Sequence, residues 1–118
     1  MAAEFRDLDR DTPAELAPGA RMAAVVGAGG MLNRVELDSN AVVAQHSHPH
    51  EQIGYVISGE IVMEVEGEVI PCGPGMAYAI PGGAVHGGTA GPEGCVVIDV
   101  FVPVREEYVE RIVAARGG

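Results

Sequence analysis

The 118-residue chain contains no lysine and no tryptophan. Its positive charge rests on seven arginines against seventeen carboxylates, a formal net charge of −10. That balance argues against a nucleic-acid partner, because neutralising phosphates requires a basic face. It leaves room for a small anionic substrate, since a site can be locally positive on an acidic protein. Long apolar runs are missing as well. None approaches the roughly 20 residues of a membrane-spanning helix, and the most apolar stretch, CVVIDVFVPV, is interrupted by Asp99. The opening MAAEFRDLDRD is charged from its fourth residue and lacks a secretory apolar stretch, which predicts a cytoplasmic location. The two cysteines, Cys72 and Cys95, have no CxxC spacing and are expected as buried thiols, neither bridged nor metal-bound.

What remains is rich in glycine and short in period. RMAAVV, MLNRVEL, AVVAQ, QIGYVIS, EIVMEVEG, EVIPC, MAYAI and CVVIDVFV are runs of strand length. Turn signals separate them, among them Gly27 to Gly30, Ser39-Asn40, Ser58-Gly59, Glu66-Gly67, Gly73-Pro74-Gly75, Pro81-Gly82-Gly83 and Gly91-Pro92. The pattern predicts an all-β sandwich or barrel of antiparallel strands. In EIVMEVEGE, Ile61, Met63 and Val65 share one face and Glu60, Glu64 and Glu66 the other, which marks a strand with one wet face. REEYVERIVAARGG differs: Tyr108, Val109, Ile112 and Val113 recur at helical spacing, with acidic residues ahead and Gly117-Gly118 behind. The expected organisation is one domain: an extended arm over 1–18, with a short turn at Thr12 to Glu15, a barrel over 19–104 and a helix over 105–118.

HSHPHEQ, residues 46–52, holds three of the four histidines. Alternate residues of a strand share a face, so His46 and His48 can reach one ion. Neutral imidazole is the commonest nitrogen ligand of first-row transition metals. His86 follows the separate turn PGGAV and must arrive from another strand. The bland alternative is a chance cluster in a polar loop; the confinement of every histidine to two glycine-framed segments favours a metal.

The framing is specific. From His46 the pattern is His-x-His, three residues, Gln52, six residues, Gly59; the second segment is Gly75, five residues, Pro81-x-Gly83, two residues, His86. In this layout the chain resembles the cupin superfamily over nearly its whole length. The resemblance implies a jelly-roll barrel with His46, His48, Gln52 and His86 around one divalent metal. Asn40 replaces the glycine expected ahead of the first motif, Gln52 the usual glutamate, and Ala90 a distal asparagine. HSHPHEQIGYVISG, PGGAVHGGTA and DVFVPVREEYV together look like the KdgF group, small cupins of pectin and alginate breakdown. That group acts on 4,5-unsaturated monouronates and eases their opening to the linear keto form.

The resemblance assigns Asp99, Phe101 and Arg105 to the active site. Asp99 would be the general acid/base, Phe101 would pack on a sugar ring, and Arg105 would grip a substrate carboxylate in bidentate fashion. Read from the residues alone, Cys95, Val97, Asp99 and Phe101 share one strand face, with apolar content on both sides suggesting a strand buried on both. Asp99 then has a structural alternative as the partner of Arg21 or Arg34, Phe101 as ordinary core, and Arg105 as a surface ion pair. His50 is expected at the rim, Glu51 in solvent, Tyr55 in the core, and Tyr78 in the core or lining the pocket. Three imidazoles and an amide oxygen would accept Ni²⁺, Zn²⁺, Fe²⁺, Mn²⁺ or Cu²⁺. A non-haem iron dioxygenase, a polyketide cyclase and a non-catalytic ligand-binding cupin remain alternatives. The expected partners are a small anionic substrate and a second copy in a homodimer.

Overall fold

Two long antiparallel strands organise the chain. The computed structural model, which describes residues 2–117, has eight strands and one helix among those residues. They are β1 (Ala14–Ala17), β2 (Ala20–Val26), β3 (Met31–Leu37), β4 (Val42–His46), β5 (Glu51–Val65), β6 (Glu68–Cys72), β7 (Ala77–Ile80), β8 (His86–Val102) and α1 (Glu106–Ala115). β5 and β8 pair along their whole length, from Glu51↔Val102 to Val65↔His86. The first half of β5 and the last half of β8 continue into β7 on one side and β3, β2 and β1 on the other. The other halves are flanked by β6 and β4.

The register slips between Val56 and Ser58 and between Gly59 and Ile61. Bulges of this kind bend and twist a strand, and here they carry β5 and β8 from one wall of a jelly roll to the other. Ser58-Gly59 and Gly91-Pro92, expected as turns between strands, are these bends within continuous strands. Gly59 has φ +72, and a side chain there would land on the carbonyl oxygen of Gly94. The bend therefore requires glycine for both conformation and space.

The inward faces alternate as the sequence implies. β3 reads buried and half-buried in strict turn, and Ile61 and Met63 of β5 are buried. Met22, Ala24, Met31, Val35, Val56, Val97 and Phe101 belong to the same core. α1 closes one end through Ile112, its one fully buried residue, with Tyr108 and Val109 half-buried against the core. Arg111 also donates to the Leu16 carbonyl oxygen at 2.9 Å, tying the helix to β1. Asn40 has φ +58, as expected of a residue standing in for glycine.

Four expectations are corrected. The turn expected at Thr12 to Glu15 is not there: Ala14–Ala17 pairs with β2 as β1, and the chain turns earlier, at Leu8 to Arg10. Tyr55, read as core, is 49 % exposed, because its parity on β5 is opposite to that of Gln52 and Gly54. β8 is buried on one face only: Val96, Ile98 and Val100 are half-covered and Val102 is open. Val113, grouped with the packed face of the helix, is exposed, because that face runs through Tyr108, Val109, Ile112 and Ala115 and leaves it to one side. No helix among the described residues is long and apolar enough to cross a membrane.

Gly59→Ala is expected to lower the unfolding free energy by about 3 kcal/mol, from backbone strain plus the Gly94 clash. Urea unfolding checks this; a loss below about 0.5 kcal/mol would remove the bend from the list of structural necessities.

Candidate metal centre and adjoining cavity

His46 ends β4, Gln52 lies at the start of β5 and His86 opens β8, with His46 and His86 directly paired. His48 sits in the connection after β4, whose carbonyl oxygen accepts from the Gly83 amide at 2.8 Å. The donor atoms of His46, His48 and His86 all lie within 4.8 Å of one another. His48, Gln52 and His86 are buried, and His46 is half-buried.

The hydrogen bonds determine what these rings present. Nδ1 of His46 lies 2.9 Å from the Ala44 carbonyl oxygen, and Nδ1 of His86 lies 2.9 Å from that of Ala84. A carbonyl oxygen only accepts, so both Nδ1 atoms carry the proton and the neutral rings present bare Nε2 lone pairs. At its other end Gln52 acts on the Asp99 carboxyl, whose charged form it favours; only the NH₂ can do so, which orients the amide. Its Oε1 therefore faces the histidines, 3.1 Å from Nε2 of His86 and 3.2 Å from Nε2 of His48. Between Gln52 and His86 two acceptors stand at hydrogen-bond distance with no proton to share. A cation among them turns that repulsion into coordination, and three imidazole nitrogens with an amide oxygen suit a divalent transition ion. The donor set fits such an ion.

Next to this cluster lies a cavity lined by His46, Gln52, His86, Tyr78, Asp99, Phe101, Arg105 and Tyr108, with Leu16, Val35, Leu37, Ile61, Met63 and Val97 forming its apolar remainder. Arg105 is the one cationic side chain among the described residues of that lining. It is the N-cap residue of α1 and is only 8 % exposed. Its guanidinium carbon lies 3.7 Å from the centre of the Tyr108 ring and 5.1 Å from that of Phe101. Its Nε donates to Glu107 at 2.7 Å. Stacking and a single anchored nitrogen hold the fork while its two terminal nitrogens remain available to an anion.

Asp99 is 7 % exposed. Burial raises its pKa, against the hydrogen bonds from Tyr78 and Gln52 and the charge of Arg105. Tyr78 donates to Asp99 Oδ1 at 2.7 Å. Arg21 and Arg34, the ion-pair partners considered for Asp99, are engaged elsewhere: Arg21 with Glu36 and Asp38, Arg34 with Asp9 and Glu36. Among the described residues no ion pair involves Asp99. Phe101, 2 % exposed, meets His48 and Tyr108 edge-on, each at 5.5 Å, and so stands between the histidine cluster and the arginine. His50 is half-buried with its ring 5.4 Å from His48, and Glu51 is exposed.

Sequence reasoning passed over two residues here. Asn33 is fully buried beside Asp99, and its amide donates to the Asp99 backbone oxygen at 3.2 Å. The signal was a polar residue at an inward position of MLNRVEL. Tyr108 was read only as part of an apolar helix face, and its stacking on Arg105 depends on a fold that brings α1 over the cavity.

The cupin domain profile matches residues 33–101, more than half of the chain, which therefore belongs to the cupin family. Within it the chain is KdgF-like. It is 31 % identical over 105 residues to pectin degradation protein KdgF of Dickeya dadantii, covering 86 % of this chain and 96 % of that protein. The structure of KdgF from a Halomonas species superposes with a TM-score of 0.83 at 31 % identity, over 90 % of this chain and 98 % of that one. An RmlC-like cupin from Shewanella frigidimarina also gives 0.83, at 25 % identity and over 91 % and 96 % of the two chains.

Burial first, and the charge of Arg105 second, push His48 down to about 4 from 6.5. The unfolded chain takes up this proton at higher pH than the folded one. Stability from this group is thus complete above pH 6.5 and is lost as pH falls towards 4. Metal-free protein should lose about 2–3 kcal/mol more than its His48→Gln variant across that window. Denaturant titrations at a series of pH values test this, and parallel curves for the two proteins would contradict it.

Proposed function

We propose that the cavity binds a 4,5-unsaturated monouronate and isomerises it to the open-chain keto acid. The observation that carries this reading is the lone arginine fork and the buried Asp99 carboxyl facing one cavity with the histidine–glutamine cluster. The likeness to proteins named for pectin degradation supports the substrate class. His46, His48, Gln52 and His86 would hold the ion, which when bound supplies Lewis-acid polarisation to a substrate oxygen. Four neutral donors leave a divalent ion its full charge, which suits an anionic substrate.

Arg105 grips the substrate carboxylate and sets the ring over Asp99. The anomeric hydroxyl loses its proton as the bond between the anomeric carbon and the ring oxygen breaks, leaving an aldehyde and an enol. The enol then becomes a ketone as carbon 4 gains a proton. Asp99 carries the proton in this exchange. The raised pKa that burial imposes brings its acid form closer to working pH. Atoms and electrons are conserved, so no oxidant is required. Phe101 keeps water from the inner side of the site.

Loss of the uronate's ultraviolet absorbance measures the reaction. Asp99→Ala should lower kcat by about 100-fold or more, and Arg105→Ala should act mainly by raising KM about tenfold. Equal rates for wild type and Asp99→Ala would sink the assignment, and saturable binding without turnover would make the protein a ligand-binding cupin.

We further propose a homodimer, with the second copy covering Ile53, Tyr55, Ile57 and Val102, all exposed on neighbouring outer positions of β5 and β8. Light scattering of the purified chain should give twice the 12.2 kDa monomer mass, and Ile57→Glu should halve it; a monomeric wild type refutes the dimer. The free, buried Cys72 and Cys95 agree with a cytoplasmic setting for the reaction.

A further inference from the structure

One row of residues crosses the inner wall of the barrel directly below the cavity. Tyr78 on β7 pairs with Gly54 on β5, Gly54 with Asp99 on β8, Asp99 with Asn33 on β3, and Asn33 with Ala24 on β2. Tyr78 and Asp99 are therefore two strand spacings apart, about 9.5 Å. Only a long side chain lying flat on the sheet spans such a gap, and only where the intervening position is bare. Gly54 leaves it bare: a Cβ there would overlap Cζ, Cε1 and the hydroxyl oxygen of the Tyr78 ring. The ring occupies the lane that a side chain at 54 would fill, and its hydroxyl donates to Asp99 Oδ1 at 2.7 Å. Gly54 keeps an ordinary backbone conformation, with no positive φ. Its requirement is for space.

The hydroxyl does more than satisfy a buried acceptor. Asp99 lines the cavity together with Arg105, whose charge its carboxyl feels. A carboxyl that must hand a proton to a carbon atom needs a fixed plane, and rotation about its terminal torsion is otherwise soft. Asn33 holds only the backbone of Asp99, through its carbonyl oxygen, and leaves the carboxyl to Tyr78 and Gln52. The Tyr78 hydroxyl is the group that pins Oδ1. From this geometry we propose that Tyr78 is a positioning residue that sets the plane of the Asp99 carboxyl, and that Gly54 exists to admit it.

This proposal rests on the uronate reading for its kinetic arm only. In that arm, Tyr78→Phe keeps the ring and removes the hydroxyl. It should lower kcat on the unsaturated uronate on the order of 10- to 100-fold, the scale of a misplaced catalytic group, with KM within about twofold and metal content unchanged. Gly54→Ala should expel the ring and show the same kcat loss. The double variant should be no slower than either single variant, because both act through one hydrogen bond.

The second arm needs no turnover. With carboxyl-¹³C aspartate in the zinc-loaded full chain, the Asp99 resonance, identified by its absence in Asp99→Asn, should move in Tyr78→Phe and in Gly54→Ala. An unmoved Asp99 resonance in Tyr78→Phe overturns the proposal, as does an unchanged kcat in an active enzyme. If wild type is inert on uronates, the substrate reading fails and the resonance still decides the role of Tyr78. Tyr78→Phe separates positioning from folding failure, since it leaves no cavity and no clash.

Discussion

The structure depends on the rolled pairing of β5 with β8. Gln52 and Val65 stand near opposite ends of β5, and Val65 is the residue paired with His86. Along a flat strand those two positions would be about 44 Å apart. Yet Gln52 Oε1 lies 3.1 Å from His86 Nε2. The bulges around Ser58 and Gly59 account for the difference, because they turn the ladder back on itself until its two ends meet. Every other feature of the site follows from that closure. His46 joins through its pairing with His86, Phe101 through its pairing with Gln52, and Arg105 by following the end of β8.

The interior produced by this roll is apolar on one side and sharply polar on the other. Gln52 is the junction. Its oxygen faces imidazole nitrogens and its NH₂ faces Asp99, so one neutral side chain serves two opposite demands. A glutamate at 52 would offer a second carboxylate to Asp99, and two adjacent buried carboxylates cannot both stay ionised without cost. The amide removes that conflict and favours the charged form of Asp99 instead. Across the cavity, Arg105 sits between Tyr108 and Phe101, a local positive charge on a chain whose formal net charge is −10. The acidic exterior and the cationic pocket are separate facts, and only the pocket bears on an anionic ligand.

Much of the fold was legible because strand parity is a local property. MLNRVEL occupies β3 residue for residue, and the wet and dry faces of EIVMEVEG fall where alternation puts them. The histidine cluster was legible from the glycine framing of its two segments; strand parity did not carry it, because β4 ends at His46 and His48 lies in the connection beyond. Parity failed where a strand bends. Ser58-Gly59 and Gly91-Pro92 carry the composition of turns, and a bulge uses the same residue types as a turn, so composition cannot separate them. Tyr55 shows a different failure: a tyrosine in an apolar run reads as core, although its position on β5 points outward.

Taken alone, the sequence determined the residue types and their faces: an all-β chain, three histidines and a glutamine able to converge, and an aspartate and an arginine on a strand and its exit. Tertiary structure decided their partners. It gave Asp99 a tyrosine, an amide and no arginine, it laid Tyr108 against Arg105, and it buried Asn33 against the Asp99 backbone. The reason is physical. Which face a side chain takes depends on the two residues beside it, whereas which partner it meets depends on register and roll across strands far apart in the chain. Gly54 joins the two levels, being one bare position in a run of side chains, and its purpose appears only once β7 and β8 lie on either side of it.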